Sequence, residues 1–540
     1  MQKLQTLDYV VFLFYFILVS GYGYWIYQRK KSKQASTKDF FLAEGSLTWW
    51  AIGASLIASN ISAEQMIGMS GNGFSMGLAI STYEWMAAAT LIVVGVVFMP
   101  IYLKNKIFTM PQFLNQRYNS TVSLIMAIFW LALYILVNLT SILYLGALAV
   151  SGISGIDFTV CMIGLAVFAI IITIGGMKVI GFTDVIQVFF LIIGGLATTY
   201  LAVTLVSTEY DGLSSLANGL KLMTEKSDDH FHMIFKKGDT HYMALPGLTV
   251  LFGGMWIVNL NYWGCNQYIT QRALGADLKT AREGILFAAF LKLLMPVIVT
   301  LPGIAAYTLY QKGLFQQEML GADGTLNQDN AYPVLLNLLP MGLKGLSFAA
   351  LTAAIVASLA GKANSISTIF TLDIFKNYIG KNSSEKHLVW IGRITIVVSM
   401  ILAIVVSPYM GIDKKGGFQF IQEMTGLLSP GIFAAFAMGF FWKRTNSAGA
   451  LFAIVGGFLI ALSMHNNWLP FTDWTAVPFL DRMGMVFLIC VAVMFILGFI
   501  LPDEGKGLEI DASMFKVNNT FAAGSILVLV IIAFLYWYFW

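Results

Sequence analysis

Fourteen stretches of this chain are apolar over a length close to the ~20 residues that carry a helix across a bilayer. They run near 8–28, 48–73, 77–103, 121–151, 157–175, 180–206, 246–270, 282–310, 342–374, 388–409, 417–442, 448–466, 483–501 and 520–540. Each is far longer than the ~9–11 alternating residues of a membrane barrel strand. The fold class expected is therefore an all-α membrane protein with about fourteen transmembrane helices. Composition closes the alternatives: 58% of the 540 residues are hydrophobic and 11% are charged, against roughly 25% charged in soluble domains. A water-soluble enzyme, a disordered chain and a nucleic-acid binder are excluded. The net charge of +4 fits basic inner loops rather than a polyanionic partner.

Lys and Arg set the orientation. With the N-terminus outside, 19 of the 32 fall on inner loops, among them Arg29, Lys30, Lys31, Lys33, Lys38 and Lys178. Both termini are then outside, in the periplasm of a cell whose inner membrane the chain spans several times. Residues 8–28 read as an uncleaved anchor, because the basic cluster follows them directly. Cys161, Cys265 and Cys490 are far apart inside apolar stretches and read as small core residues. His230, His232 and His241 lie with Asp228, Asp229 and Asp239 in the long loop 207–245. A solvated loop is the favoured reading there, with a metal site as the alternative.

Two spans look broken. The second carries IASNISAEQ (57–65) and the seventh GGMWIVNLNYWGCNQ (253–267). Unwound backbone is tolerated at that depth only where it lines a cavity or is buried in protein. Five spans separate the breaks, so each opens a five-helix unit, and the two units have opposite topology. That is the inverted-repeat plan of secondary transporters, with the site at the paired breaks. The organisation expected is 1–47 as an extra helix and inner loop, 48–206 as the first repeat, 207–245 as an outer loop, 246–442 as the second repeat and 443–540 as three extra helices.

Charges at mid-span need a reason, since each costs ~2.5–3.5 kcal/mol on insertion scales. Glu84 lies between Tyr83 and Trp85, a carboxylate between rings that suits a hydroxyl-rich ligand; pairing with Lys292 is the structural alternative. Lys292 falls near the midplane, too deep to reach the interface. Asp184 either lines a cation path or caps a helix start. Asn60, Gln65, Asn259, Asn261 and Gln422 add neutral hydrogen-bonding groups at similar depth. Together these residues describe a polar cavity without an Arg to clamp an anion, which favours a sugar or polyol. There is no P-loop or HExxH motif, so neither ATP-driven transport nor metal-dependent hydrolysis is expected.

At WWAIGASLIASNISAEQMIGMSG (49–71), YEWM (83–86), VNLTSILYLG (137–146), GFTDVIQVFF (181–190), GGMWIVNLNYWGCNQY (253–268), FLKLLMPVIVTLPGIAAY (290–307), STIFTLDIFK (367–376) and FQFIQEMTGLLSPG (418–431) the chain resembles the sodium/solute symporter family. The likeness is strongest to its bacterial sodium/galactose and animal sodium/glucose branches. The resemblance implies a LeuT-type 5+5 inverted repeat with extra terminal helices. It places sugar binding on Gln65, Glu84, Asn259, Lys292 and Gln422. It implies an inner gate at Tyr262, with Trp263 beside it, and an outer cover of Tyr83, Met69 and Phe418. Sodium, transported rather than resident, would be held by carbonyls of Ala58, Ile61 and Ala354 and by a hydroxyl of Ser358, with Asp184 on its exit path.

The chain departs from that pattern at three positions. Ala87 replaces a Ser that contacts sugar. Ala357 replaces one of two sodium-binding Ser residues. Lys362, one turn beyond Ser358 on the same helix face, stands where the family has an apolar or neutral residue. Its ammonium is expected to compete with sodium or pair with Asp184; the alternative is a Lys that reaches the wet inner vestibule. The function expected is sodium symport of a neutral galactose- or glucose-like hexose. A myo-inositol or polyol symporter, and a sugar carrier with altered or lost sodium coupling, are the alternatives.

Overall fold

A computed structural model of the chain describes residues 4–29, 47–174, 177–321, 324–409, 417–502 and 506–540. Lys30, Lys31, Lys33 and Lys38 lie outside the described residues, as do the side chains of Arg29 and Lys178. Nine described helices are long and apolar enough to cross a membrane, or ten if the bent pair Gly417–Gly426 and Ser429–Phe441 is one span. The difference from fourteen falls on particular spans. The first runs as a helix over Thr6–Arg29, of which Thr6–Val19 counts as a shorter apolar helix, and the fifth is the shorter apolar helix Phe158–Thr173. The second and seventh are broken, and the helix after the second break continues into the third span, Glu64–Lys104.

The elements that build the site are α1 (Trp49–Asn60), α2 (Thr82–Val93), α3 (the span Ser120–Ser154) and α4 (Met177–Asp211). They are joined by α5 (Gly254–Gly264), α6 (Gln267–Leu274), α7 (Leu278–Gln311), α8 (Leu343–Thr368), α9 (Gly417–Gly426) and α10 (Ser429–Phe441).

Both expected breaks are present. α1 ends at Asn60, Ile61 is extended (φ −76°, ψ 95°), and the chain re-enters helix as a wide π turn over Glu64–Met69. The seventh span breaks at Gly253 and again at Cys265–Asn266, where the Asn266 side chain accepts from the Tyr268 amide and restarts the helix as α6. Glycine lets α1 lie directly on α7. A Cβ at Gly53 would stand 2.7 Å from the Gly284 carbonyl, and one at Gly284 would stand 2.8 Å from the Trp49 carbonyl. Small residues at such crossings are the usual device where no hydrophobic drive acts between helices.

The loops 207–245 and 312–342 sit at one end of the bundle. The Gly77 backbone passes against His230, Asp329 lies beside Gly71, and the Met233 amide donates to the Phe539 carbonyl at 2.8 Å. Asp8 accepts from the amides of Gly342 and Gly345 at 2.8 and 3.0 Å, so both chain ends share that end. The solvated-loop reading fits the exposed Asp228, Asp229 and His232 and fails at His230, which is buried, stacks on Tyr307 at 3.7 Å and bonds the Phe74 carbonyl through Nε2 at 2.9 Å. Among the described residues no three His, Cys, Asp or Glu side chains are grouped to hold a metal ion.

Candidate functional site

The two breaks face one cavity. Asn60, Glu64 and Gln65 reach it from the first break; Asn259, Tyr262, Trp263 and Asn266 reach it from the second. α2 adds Tyr83, Glu84 and Ala87, α7 adds Lys292, and α9 adds Phe418, Gln422 and Thr425. All five residues expected to bind sugar, Gln65, Glu84, Asn259, Lys292 and Gln422, therefore line one space. Tyr83 and Phe418 meet edge to face, centroids 5.1 Å apart, and form one wall. Met69 is buried in the π turn and is not among the lining residues. Its neighbour Gly68 packs directly on the Phe418 backbone, so the turn supports that aromatic wall from behind.

Lys292 and Glu84 are buried, and their Nζ and Oε2 atoms are 2.5 Å apart. Lys292 also donates to Asn60 Oδ1, and Asn60 Nδ2 donates to the Tyr262 hydroxyl at 3.3 Å. A continuous polar chain thus joins α2, α7, the end of α1 and the expected gate. Glu84 is thus ion-paired, as the structural alternative expects, and it also lines the cavity.

Below Tyr262, the Tyr268 hydroxyl donates to the Ser59 carbonyl at 2.8 Å and the Tyr134 hydroxyl to Asn266 Oδ1. Two of the expected sodium ligands meet beside them. Ser358 Oγ on α8 donates to the Ala58 carbonyl at 3.4 Å, where the ending of α1 frees carbonyls from their intrahelical partners. Ile61 follows at the break, and Ala354 and Ala357 are buried on α8. Asp184 on α4 accepts from Ser55 at 2.6 Å, and Arg272 Nε donates to Ser55 at 3.1 Å.

The pairing expected between Lys362 and Asp184 is not formed. Lys362 is buried rather than set in a wet vestibule. Its Nζ donates to Asn138 at 3.0 Å and faces the Tyr268 ring at 4.3 Å. Lys362, Asn138 and Glu64 all line the cavity, and the charges of Glu64 and Lys362 interact. Glu64 and Asn138 went unassigned from sequence, although both stand in the stretches quoted there. The signal was present: an acid and an amide at mid-span with no apolar reason to be there.

A bundle whose two broken helices enclose a polar cavity at mid-depth is the architecture of an alternating-access transporter. The chain belongs to the sodium:solute symporter family, whose profile matches residues 40–457. It is 45% identical over 547 residues to the sodium/glucose cotransporter of Vibrio parahaemolyticus, covering 99% of each chain. It is 34% identical over 489 residues to human sodium/myo-inositol cotransporter 2, covering 85% of this chain and 70% of that one. A sodium-coupled sialic acid symporter shares the fold, with a TM-score of 0.78 at 22% identity over 92% of this chain and 99% of that one. A nucleobase-cation-symport-1 family transporter does so at a TM-score of 0.52 and 13% identity, over 88% and 98%. The protein is a multi-pass membrane symporter, not an enzyme, and sodium is its transported coupling ion.

Proposed function

We propose that the protein imports a neutral hexose of the galactose or glucose type together with sodium across the inner membrane, with both termini outside. The observation that carries the substrate class is the charge balance of the cavity. Its wall holds two carboxylates, Glu64 and Glu84, and two ammonium groups, Lys292 and Lys362, with amides between them. Two groups of each sign, of which Lys292 and Glu84 are in contact, leave no formal net charge to attract an ion, while amides, a carboxylate and aromatic faces suit a ring bearing hydroxyls. The names of the sodium/glucose and sodium/myo-inositol relatives agree with a polyhydroxylated solute.

In this reading residues 48–206 and 246–442 are the two inverted repeats. Sodium binds first at the carbonyls of Ala58, Ile61 and Ala354 and the Ser358 hydroxyl, tying α1 to α8. Gln65, Glu84, Asn259, Lys292 and Gln422 then hold the sugar beneath Tyr83 and Phe418, with Met69 in the turn behind them. Tyr262, backed by Trp263, yields to release it inward, and sodium leaves past Asp184. A potential of ~100 mV supplies ~2.3 kcal/mol per charge and a tenfold sodium gradient ~1.4 kcal/mol. Together they support roughly 500-fold accumulation per ion.

The test is uptake of labelled galactose and glucose into proteoliposomes under sodium, potassium or proton gradients. Sodium-driven accumulation above equilibrium is expected. Equilibration that ignores sodium overturns the coupling, and uptake of myo-inositol in place of either hexose moves the substrate to the polyols. The second outcome has its own motive in Ala87, which lines the cavity without the hydroxyl the family has there.

A further inference from the structure

Lys362 is the one cavity cation for which the transport cycle above has no use. It lies one turn beyond Ser358 along α8 and is buried. Three tyrosine rings surround its ammonium, with centroids at 4.3 Å for Tyr268, 5.5 Å for Tyr134 and 5.9 Å for Tyr262. Asn138 Oδ1 accepts its proton at 3.0 Å. Tyr134 and Asn138 belong to α3, Tyr262 to α5 and Tyr268 to α6. One side chain of α8 thus fastens three other elements around the underside of the expected gate.

We propose that Lys362 is a built-in cation of the inner gate, which holds Tyr262 and α6 closed whether or not sodium is bound. The inference rests on the gate role given to Tyr262. Where closure depends on sodium tying α1 to α8, loss of the ion loosens the inner side. In this chain Ala357 takes one hydroxyl away from that tie, and the ammonium of Lys362 supplies a tie that cannot dissociate. A desolvated ammonium seeks π faces and an amide oxygen while the floor is dry. Once the floor opens, water hydrates it and the cage loses its hold, so the same charge resists the first step of opening and not the last. Two charged groups face it: Glu64 across the same cavity, and Arg272 over the same Tyr268 ring at 4.7 Å.

The experiment is hydrogen–deuterium exchange on the purified full chain in nanodiscs, with sodium and with potassium in its place, read on the segment 262–274. α6 is buried throughout, so exchange there reports opening of the inner side. The wild type is expected to protect the segment equally in both ions. Lys362→Met is expected to exchange about tenfold faster in potassium, the scale of one desolvated cation–π contact and its hydrogen bond, and to regain protection in sodium. Lys362→Arg, which keeps charge and π contact, is expected to match the wild type. If Lys362→Met does not fold, Asn138→Leu removes the anchor alone and is expected to give a smaller, sodium-reversible rise.

Three results overturn the proposal: unchanged protection in Lys362→Met or Asn138→Leu, a loss that neither sodium nor the Arg variant restores, or a wild type that loses protection in potassium. Exchange needs no substrate. A wild type that moves neither hexose sinks the substrate reading while this comparison still decides the gate.

Discussion

Lys292 Nζ lies 2.5 Å from Glu84 Oε2, and neither side chain is accessible. Breaking such a pair from one side leaves a bare charge in the protein interior, which costs about 3–5 kcal/mol, whereas replacing both partners is far milder. Lys292→Met and Glu84→Gln are each expected to lower the melting temperature and to abolish uptake. The double variant is expected to recover much of the melting temperature and none of the transport, because both charged groups assigned to the sugar are then gone. Thermal unfolding in detergent beside labelled uptake separates the two effects. A double variant as unstable as the sum of the singles overturns the pairing argument.

The sodium reading makes Ala357 a correctable defect. Ala357→Ser places a second hydroxyl beside Ser358, which already reaches the Ala58 carbonyl at 3.4 Å. One added neutral ligand is worth about 1–2 kcal/mol, so the sodium concentration for half-maximal uptake is expected to fall roughly tenfold. Ser358→Ala is expected to remove sodium dependence. Sodium titration of initial uptake rates is the measurement, and a half-maximal concentration that Ala357→Ser leaves unmoved counts against the site.

Much of this site was legible because polar residues inside an apolar span carry a cost that something must offset. That reasoning located the break at 57–65, seen where α1 stops at Asn60 and helix resumes at Glu64. It also brought Gln65, Glu84, Asn259, Lys292 and Gln422 to one cavity. It fell short where a partner had to be chosen across hundreds of residues. Lys362 and Asp184 both looked unpaired in sequence, yet Asp184 turns to Ser55 and Lys362 to Asn138, since helix rotation and depth decide which faces meet. His230 failed differently. Acidic and histidine-rich composition reads as solvated, but its ring stacks on Tyr307 and bonds the Phe74 carbonyl.

At the end of the bundle shared by the two long loops, Asp329 accepts from the Gly417 amide at 2.9 Å and so fixes the first residue of α9, the helix that carries Phe418 and Gln422. Burial raises its carboxyl from 3.8 to about 7. The folded state therefore holds this proton more tightly than the unfolded chain does. Its contribution to stability is greatest below about pH 4, declines as pH rises from about 4 to 7, and levels off above. Asp329→Asn keeps an oxygen for the amide and removes the ionisation. Its melting temperature is expected to exceed that of the wild type at pH 8, with the gap closing as pH falls toward 5. Melting curves across that range check it, and a gap independent of pH denies the carboxylate its role.

Arg117 makes the sharpest case for stability, because its guanidinium finishes a helix. Nε donates to the Gly439 carbonyl at 2.8 Å, one terminal nitrogen to Thr445 at 3.2 Å, and the other to Trp442 and Lys443 at 2.9 and 3.0 Å. Gly439 is in the last turn of α10, and the other three carbonyls follow its end, where no backbone amide continues the ladder and the helix dipole favours a cation. The planar fork spreads over acceptors that no single ammonium can reach together. Arg117→Lys keeps the charge and is still expected to cost about 2–4 kcal/mol, the loss of two or three charge-assisted bonds in a buried place. The measurement is the melting temperature of Arg117→Lys and Arg117→Met in detergent. A Lys variant within about a degree of the wild type would show that charge alone closes the helix; a fall nearly as deep as that of Met shows that the fork geometry does.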